Sequence, residues 1–214
     1  RGAKLVHVRP APVPSAQGPR SLGHPAHDPV WSMLAEANVP VAFHLGDSGY
    51  LALAALWGGK PDFEPFAPAD PLDGVLVDDR AIYDTMASLI VHGVFHRHPK
   101  LRVASIENGS DWVAPLAKKL RKKANQMPQA FPEDPLDVLR RNVWVTPYYE
   151  EGLRALADLI GVERILFGSD WPHGEGLASP CDFTKELVGF SAAEVERVMR
   201  DNVLELLGHP KASD

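Results

Sequence analysis

Short apolar segments alternate with amphipathic segments along most of the chain, and this alternation limits the possible folds more than any other feature. Five runs have the composition of buried β-strands, at 4–8, 39–43, 101–106, 143–145 and 165–167. Segments with apolar residues at helical spacing lie between them. Apolar strands that alternate with helices predict a parallel sheet covered by helices.

Apolar spacing and terminal residues indicate where the helices lie. Helices are expected at 82–94, at 153–160 and after Ser191, and Asp28 and Asp111 are each expected to be the N-cap of a further helix. Ser191 and Glu194 have the spacing of a capping box, and Gly161 is expected to end the helix that precedes it. Segments 58–79 and 126–135 contain several prolines and are expected to be loops.

Polar residues at the strand ends distinguish the two folds that satisfy this alternation, a doubly wound sheet and a (β/α)8 barrel. His44, Glu107, Tyr148 and Asp170 each lie just beyond the carboxyl end of a different strand, where barrels build their active sites. No G-x-G-x-x-G follows the first strand, as a dinucleotide-binding fold would require.

The sequence therefore predicts an α/β fold of the (β/α)8 TIM-barrel type. A whole barrel takes about 250 residues and eight strands. The 214 residues supply about five strand–helix units, so an incomplete barrel is expected. Residues 1–214 are expected to form a single domain.

Two of the strand-end residues are potential metal ligands. A carboxylate at the position of Asp170 can bind a divalent cation and accept a proton from water, although aspartate also commonly caps turns. His44 offers an imidazole, a common ligand of zinc, manganese and iron, although a single histidine is more often structural. Because the two follow different strands, together they favour a metal site.

Three segments resemble the amidohydrolase-related family (the amidohydrolase 2 group), which includes the aminocarboxymuconate-semialdehyde decarboxylase-like enzymes. They are His44-Leu-Gly, Ile106-Glu-Asn-Gly-Ser-Asp-Trp-Val113 and Ile165-Leu-Phe-Gly-Ser-Asp-Trp-Pro-His173-Gly-Glu-Gly176. The resemblance covers nearly the whole chain and corresponds to the carboxyl-terminal portion of the family. It therefore implies that residues 1–214 form a single metal-dependent hydrolase-type barrel domain, made of about the last five units and lacking its first strands. It implies a metal-dependent TIM barrel in which His44 and Asp170 match the ligands after the family's fifth and eighth strands.

The resemblance also exposes two departures from the family pattern. Two further ligands come from a His-x-His-type pair on the family's first strand, and no such pair precedes His7, because the first strand here resembles the family's fourth. His96 and His98 have the spacing but follow a helix, which indicates a surface feature. Many decarboxylating members carry a catalytic histidine after the sixth strand, where this chain has Glu107, a candidate acid or base. The alternative for Glu107 is a carboxylate that binds loop amides.

The remaining site residues are assigned by position. His173 is expected to orient Asp170 or to contact substrate. Arg9, after the first strand, is expected to pair with a substrate carboxylate. Tyr148 and Trp171 are expected to line an apolar pocket for a ring.

These features predict a metal-dependent hydrolase or non-oxidative decarboxylase that acts on a small carboxylic acid, cyclic ester or amide. The expected cofactor is a divalent metal, zinc first and manganese second. The alternative is a catalytically inactive barrel fragment that serves as an assembly or binding module, and the missing first-strand ligand pair is the feature that favours it.

Composition bears on partners and location. A net charge of −6 argues against a nucleic-acid surface, and no run of about 18 apolar residues that could cross a membrane is present. The single cysteine, Cys181, fits a reducing compartment, so the cytoplasm is expected. An open parallel sheet would expose edge strands, so a homo-oligomer or a longer native chain is expected.

Overall fold

The computed structural model describes residues 2–61, 70–149, 151–174 and 176–209. Two prolines of the expected loop, Pro65 and Pro68, and Glu175 of the last motif lie outside these ranges. The strands are β1 Val6–Val8, β2 Val41–His44, β3 Val103–Ile106 and β4 Val143–Val145. The α-helices are α1 Asp28–Glu36, α2 Leu51–Ala55, α3 Pro71–Val77, α4 Arg80–Val91, α5 Val94–Arg97, α6 Val113–Gln126, α7 Pro135–Asn142, α8 Leu153–Ile160, α9 Ala192–Glu196 and α10 Asn202–Leu206.

The sheet is parallel, and its strands lie side by side in chain order, β1-β2-β3-β4. The fifth expected strand joins the same edge through one parallel bridge between Ile165 and Val145, with a 2.8 Å hydrogen bond from the Leu166 amide to the Val145 carbonyl. A doubly wound sheet reverses its strand order at a switch point, and none occurs among the described strands. The strand order is that of a barrel wall.

The two faces of the sheet have different neighbours. Val41, Phe43 and Val103 are fully buried in the main core, which also contains residues of the covering helices. Ala104 and Trp144 alternate with these residues and belong to a separate, smaller cluster closed by Leu206 of α10. Because neighbouring side chains of a strand point to opposite faces, the strands are covered by helices on one side and line the barrel interior on the other.

The apolar stripe predicted for the helix at 82–94 is confirmed as far as Ile90, but the predicted length of that helix is wrong. Ile82, Met86 and Leu89 of α4 are fully buried, as the 3.6-residue spacing requires. Helix α4 ends at Val91, because Gly93 adopts a φ of 69°, and Val94 belongs to α5. Gly161 ends α8 with a φ of 95°, which glycine adopts at little cost. Ser191 and Glu194 form both hydrogen bonds of the capping box that begins α9.

Two helices of the structure were not predicted from the sequence. Helix α3 lies inside the expected loop 58–79, and α7 follows the expected loop 126–135 without having been predicted. Each begins with an Asp–Pro pair. The Asp70 carboxylate accepts from the Leu72 amide, and the Asp134 carboxylate accepts from the Leu136 amide. Proline at the first helical position and aspartate before it are helix-start signals, which the high proline content obscured.

Two capping predictions were also wrong. Asp28 is the first residue of α1, not its cap, and its carboxylate binds the Arg97 guanidinium through two 2.8 Å hydrogen bonds. Asp111 does not cap α6, because the N-cap residue is Trp112, whose side chain makes no capping hydrogen bond. Within the described ranges, no helix has the length and apolarity needed to cross a membrane.

Candidate functional site

The strand-end residues meet at one edge of the sheet because parallel strands end on the same side. His44 is the last residue of β2, and Glu107 directly follows β3. Tyr148 lies three residues after β4, and Asp170 follows the bridge at Ile165 by five residues.

Glu107 is the central residue of the site. Its Oε2 lies 2.8 Å from Nε2 of His44, and its Oε1 lies 3.5 Å from Nδ1 of His173. The Glu107 side chain is 19% exposed, whereas the two rings are 40% and 46% exposed. One carboxylate therefore connects two imidazoles that face the open end of the sheet.

Asp170 completes the cluster. Its Oδ1 lies 3.0 Å from Nδ1 of His173, and ligand atoms of Glu107, Asp170 and His173 all lie within 4.8 Å of one another. His44 is joined to this group through its contact with Glu107. The structure thus brings together four of the residues singled out from the sequence.

The hydrogen bonding of His44 shows what the group can bind. Its Nδ1 lies 2.8 Å from the carbonyl oxygen of Leu45, so this nitrogen donates a proton to that carbonyl. The other nitrogen then faces the Glu107 carboxylate, and two acceptors at 2.8 Å need a proton or a cation between or beside them. Donor atoms that share one ion at about 2.0–2.2 Å lie about 3 Å apart, so this donor set fits a divalent cation.

Both carboxylate residues of the cluster have a left-handed backbone conformation. Glu107 has a φ of 55° and Asp170 a φ of 54°, in the left-handed region that costs a residue with a side chain about 1–2 kcal/mol. Neighbouring contacts maintain this geometry. The amide of buried Asn108 donates to the carbonyl oxygens of Phe43 and Ile106, which ties the turn after β3 to β2. Strained backbone of this kind is concentrated at functional sites.

Negative charge dominates the surroundings of Tyr148. Partial burial, followed by the charges of Glu107 and Glu151, raises the pKa of its hydroxyl well above the usual range. The protonated hydroxyl donates to the backbone carbonyl of Glu107 at 3.1 Å. Tyr148 therefore holds the main chain of the central residue, in addition to any contact with substrate.

Two predicted substrate residues lie at the margin. Arg9 is exposed after β1, and its Nη1 donates to the Asp47 carbonyl at 2.8 Å. Trp171 is 65% exposed, so the described residues do not enclose it in a pocket. Its backbone N–H donates to Oγ of Ser169 at 3.3 Å.

The histidine pair at 96 and 98 does not form a joint site. Nδ1 of His96 lies 3.6 Å from Glu133, whereas Nε2 of His98 lies 3.6 Å from Asp28. Because the two rings contact different carboxylates, they are not positioned to share an ion.

Sequence reasoning missed two neighbours of the site. His7 is exposed on β1, and its ring centroid lies 5.2 Å from that of His44 in an edge-to-face contact. A polar residue inside an apolar strand was a usable signal for His7. Glu151 accepts hydrogen bonds from the Ser110 amide and hydroxyl and from the Tyr148 amide. No sequence pattern indicates that pairing, which the fold creates across 41 residues.

Comparisons with known proteins agree with this architecture. The amidohydrolase family model matches residues 1–209. The structure superimposes on an amidohydrolase from Mycobacterium avium subsp. paratuberculosis K-10 with a TM-score of 0.90 and 64% identity, over 99% of this chain and 53% of that one. A dihydroxybenzoic acid decarboxylase from Polaromonas sp. JS666, solved with manganese and the inhibitor 2-nitroresorcinol, shares the fold with a TM-score of 0.62 and 18% identity, over 91% and 57% of the chains.

A curated relative extends the comparison. The 2-amino-3-carboxymuconate-6-semialdehyde decarboxylase of Dictyostelium discoideum is 27% identical over 129 residues, which are 58% of this chain and 35% of that protein. The chain thus spans about a third of this relative and about half of the solved amidohydrolase. It folds as part of a TIM barrel, as predicted, and it belongs to the amidohydrolase family.

Proposed function

We propose that this chain carries the metal-binding part of a hydrolase or non-oxidative decarboxylase that acts on a small carboxylic acid, cyclic ester or amide. The observation that carries the proposal is the bridging position of Glu107, with His44 on one carboxylate oxygen and His173 on the other. Two carboxylates and two imidazoles at the mouth of a barrel form a typical cation-binding and proton-transfer set.

The proposed cation donors are His44, Glu107 and Asp170. Zinc and manganese both accept mixed imidazole and carboxylate ligands, and the Polaromonas relative contains manganese. Manganese is therefore the first ion to test, with zinc, our first expectation from the sequence, as the second. When bound, a divalent cation supplies Lewis-acid polarisation of a substrate oxygen.

The chain's own residues supply the proton transfers. Asp170 is proposed to accept or return a proton at the reacting atom, and Glu107 is the second candidate acid or base. His173 contacts both carboxylates, at 3.0 and 3.5 Å, and its side chain is 46% exposed. This position allows His173 to carry protons between the carboxylates and solvent.

The charge of the site restricts the substrate. An anionic substrate approaches Glu107 and Asp170, so its carboxylate needs a neutralising partner. The cation would supply most of that charge, and Arg9 at the end of β1 would add a second positive group. The exposed rings of Tyr148 and Trp171 would pack on an aromatic substrate. The inhibitor of the Polaromonas relative, 2-nitroresorcinol, is a small aromatic molecule.

We further propose a single domain that self-associates in the cytoplasm. Large apolar side chains of the α2–α3 region are exposed, with Leu56 at 79%, Trp57 at 77% and Val75 at 84%. Apolar residues this exposed are typical of protein contacts. Light scattering should then give a mass above 23.4 kDa, and a stable monomer would contradict this part.

Activity tests the function directly. Purified protein, metal-free or supplied with MnCl2 or ZnCl2, is incubated with a panel of hydroxybenzoates, lactones and amides, and product is followed by chromatography. We expect turnover that requires metal and falls at least about 100-fold in Asp170→Asn, since a proton-transfer group contributes about 10²–10⁴-fold. The exposed substitution Asp137→Asn is the matched control. Protein that stays inert towards the whole panel even when supplied with MnCl2 or ZnCl2 would instead favour the inactive binding module.

A further inference from the structure

Glu151 is a partly buried carboxylate that the proposed chemistry does not use. Its two oxygens accept from the Ser110 amide at 2.9 and 2.8 Å, its Oε2 accepts from the Ser110 hydroxyl at 2.6 Å, and the same oxygen accepts from the Tyr148 amide at 3.0 Å. Burial raises the pKa of Glu151 overall, by more than these donors lower it, and the ionised carboxylate makes charge-assisted bonds with them. Such charge-assisted bonds are about twice as strong as neutral ones.

The partners of Glu151 are the residues that hold Glu107. Tyr148, whose amide binds Glu151, donates its hydroxyl to the Glu107 carbonyl. Ser110 ends the short turn that begins at Glu107 and is itself 8% exposed. Glu151 thus connects the turn after β3 to the segment after β4, on both sides of the central carboxylate.

Gly109 shows how closely these groups fit. A Cβ at this position would lie 2.5 Å from Oε1 of Glu151 and 2.9 Å from the Tyr148 ring, and its φ of 59° suits glycine. Its carbonyl accepts from Nε1 of Trp112 at 3.0 Å. The turn therefore has little freedom while Glu151 is in place.

We infer that Glu151 is a positioning residue that fixes the Glu107 carboxylate for cation binding, through the turn at 107–110 and the Tyr148 hydroxyl. This inference rests on the proposed function, because one of its two readouts is the affinity of the site for Mn²⁺. Replacing a residue that positions a metal ligand without contacting the metal typically changes metal affinity about 10–100-fold. Glu107 needs such support because its left-handed backbone is not its preferred conformation.

The test compares the full wild-type chain with Glu151→Gln and with the control Glu186→Gln, an exposed glutamate on the Pro180–Glu186 turn. Titration calorimetry measures the Mn²⁺ Kd, hydrogen exchange of the metal-free proteins measures protection at 107–110, and calorimetric scanning gives Tm. We expect Glu151→Gln to raise the Kd at least about 10-fold, to speed exchange at 107–110, and to leave the control unchanged. A merely structural role would lower Tm without changing the Kd of the folded protein.

The double variant shows whether Glu151 acts on Glu107 through the Tyr148 hydroxyl. Tyr148→Phe removes the hydroxyl bond to Glu107, and its effect on the Kd should be less than additive with that of Glu151→Gln. If Glu151→Gln does not fold, Ser110→Ala, which keeps the backbone bond, should give a smaller rise in Kd and faster exchange. A wild-type Kd in these variants overturns the inference. If the wild type binds no Mn²⁺, the proposed function fails, and unchanged exchange at 107–110 then overturns the positioning role separately.

Discussion

Nε2 of His44 lies 2.8 Å from Oε2 of Glu107, although the other nitrogen of the ring already donates to the Leu45 carbonyl. Facing acceptors at this distance are stable only with positive charge supplied between or beside them. Asp170 adds a second carboxylate to the same cluster. This donor set fits a divalent cation, and the proposed chemistry depends on one.

Binding of an anion should depend on the metal. In metal-free protein, Glu107 and Asp170 repel a carboxylate, so 2,6-dihydroxybenzoate should bind at least about 10-fold more weakly than in Mn²⁺-loaded protein, a difference of about 1.4 kcal/mol. Equilibrium dialysis with and without MnCl2 checks this. Equal affinity in both forms would show that the ligand binds away from the cluster.

Two glycines in the last motif allow a matched test of Asp170. A Cβ on Gly176 would lie 2.7 Å from the Asp170 carbonyl oxygen, whereas a Cβ on Gly174 would meet nothing within 4 Å. Gly176→Ala should therefore displace Asp170 and reduce Mn²⁺ affinity about 10-fold or more, while Gly174→Ala should not. Calorimetric titration of the two variants checks this, and equal affinities would contradict the assigned packing.

The main core should respond to truncation as a packed interior. Leu89 of α4 is fully buried, whereas Val188 is 81% exposed. Leu89→Ala should lower the free energy of unfolding by about 2–5 kcal/mol, and Val188→Ala should change it by less than about 0.5 kcal/mol. Urea unfolding followed by circular dichroism measures both. Similar losses in the two variants would mean that α4 does not pack as described.

Asp28 should stabilise the protein in a pH-dependent way. Its hydrogen bonds with Arg97 lower the pKa of its carboxyl below the usual 3.8. A lowered pKa stabilises the fold above the unfolded-state value, and this contribution is lost as the pH falls through the folded-state value. Asp28→Asn should therefore cost about 1 kcal/mol at pH 7 and progressively less below pH about 4. Urea unfolding at several pH values checks this, and a constant difference would contradict it.

The sequence was most informative for the strands and helices whose buried apolar residues form a regular pattern. Four strands and the bridged segment at Ile165 were predictable because they are short apolar runs, and the α4 and α8 stripes because their apolar residues recur at helical spacing. The site edge was predictable because parallel strands end together. Helices α3 and α7 were missed because their Asp–Pro starts resemble loop composition. The contacts of Glu151 and His7 were not predictable in detail, since they join segments that only the folded sheet brings side by side.

Titration of metal-free protein with MnCl2 tests the central claim most directly. We expect one equivalent to bind the wild type, and His44→Ala, Glu107→Gln and Asp170→Asn each to weaken that binding at least about 10-fold, with Asp137→Asn as the unaffected control. Absence of binding in the wild type, or binding that these three substitutions leave unchanged, would contradict the assignment of a cation to this cluster.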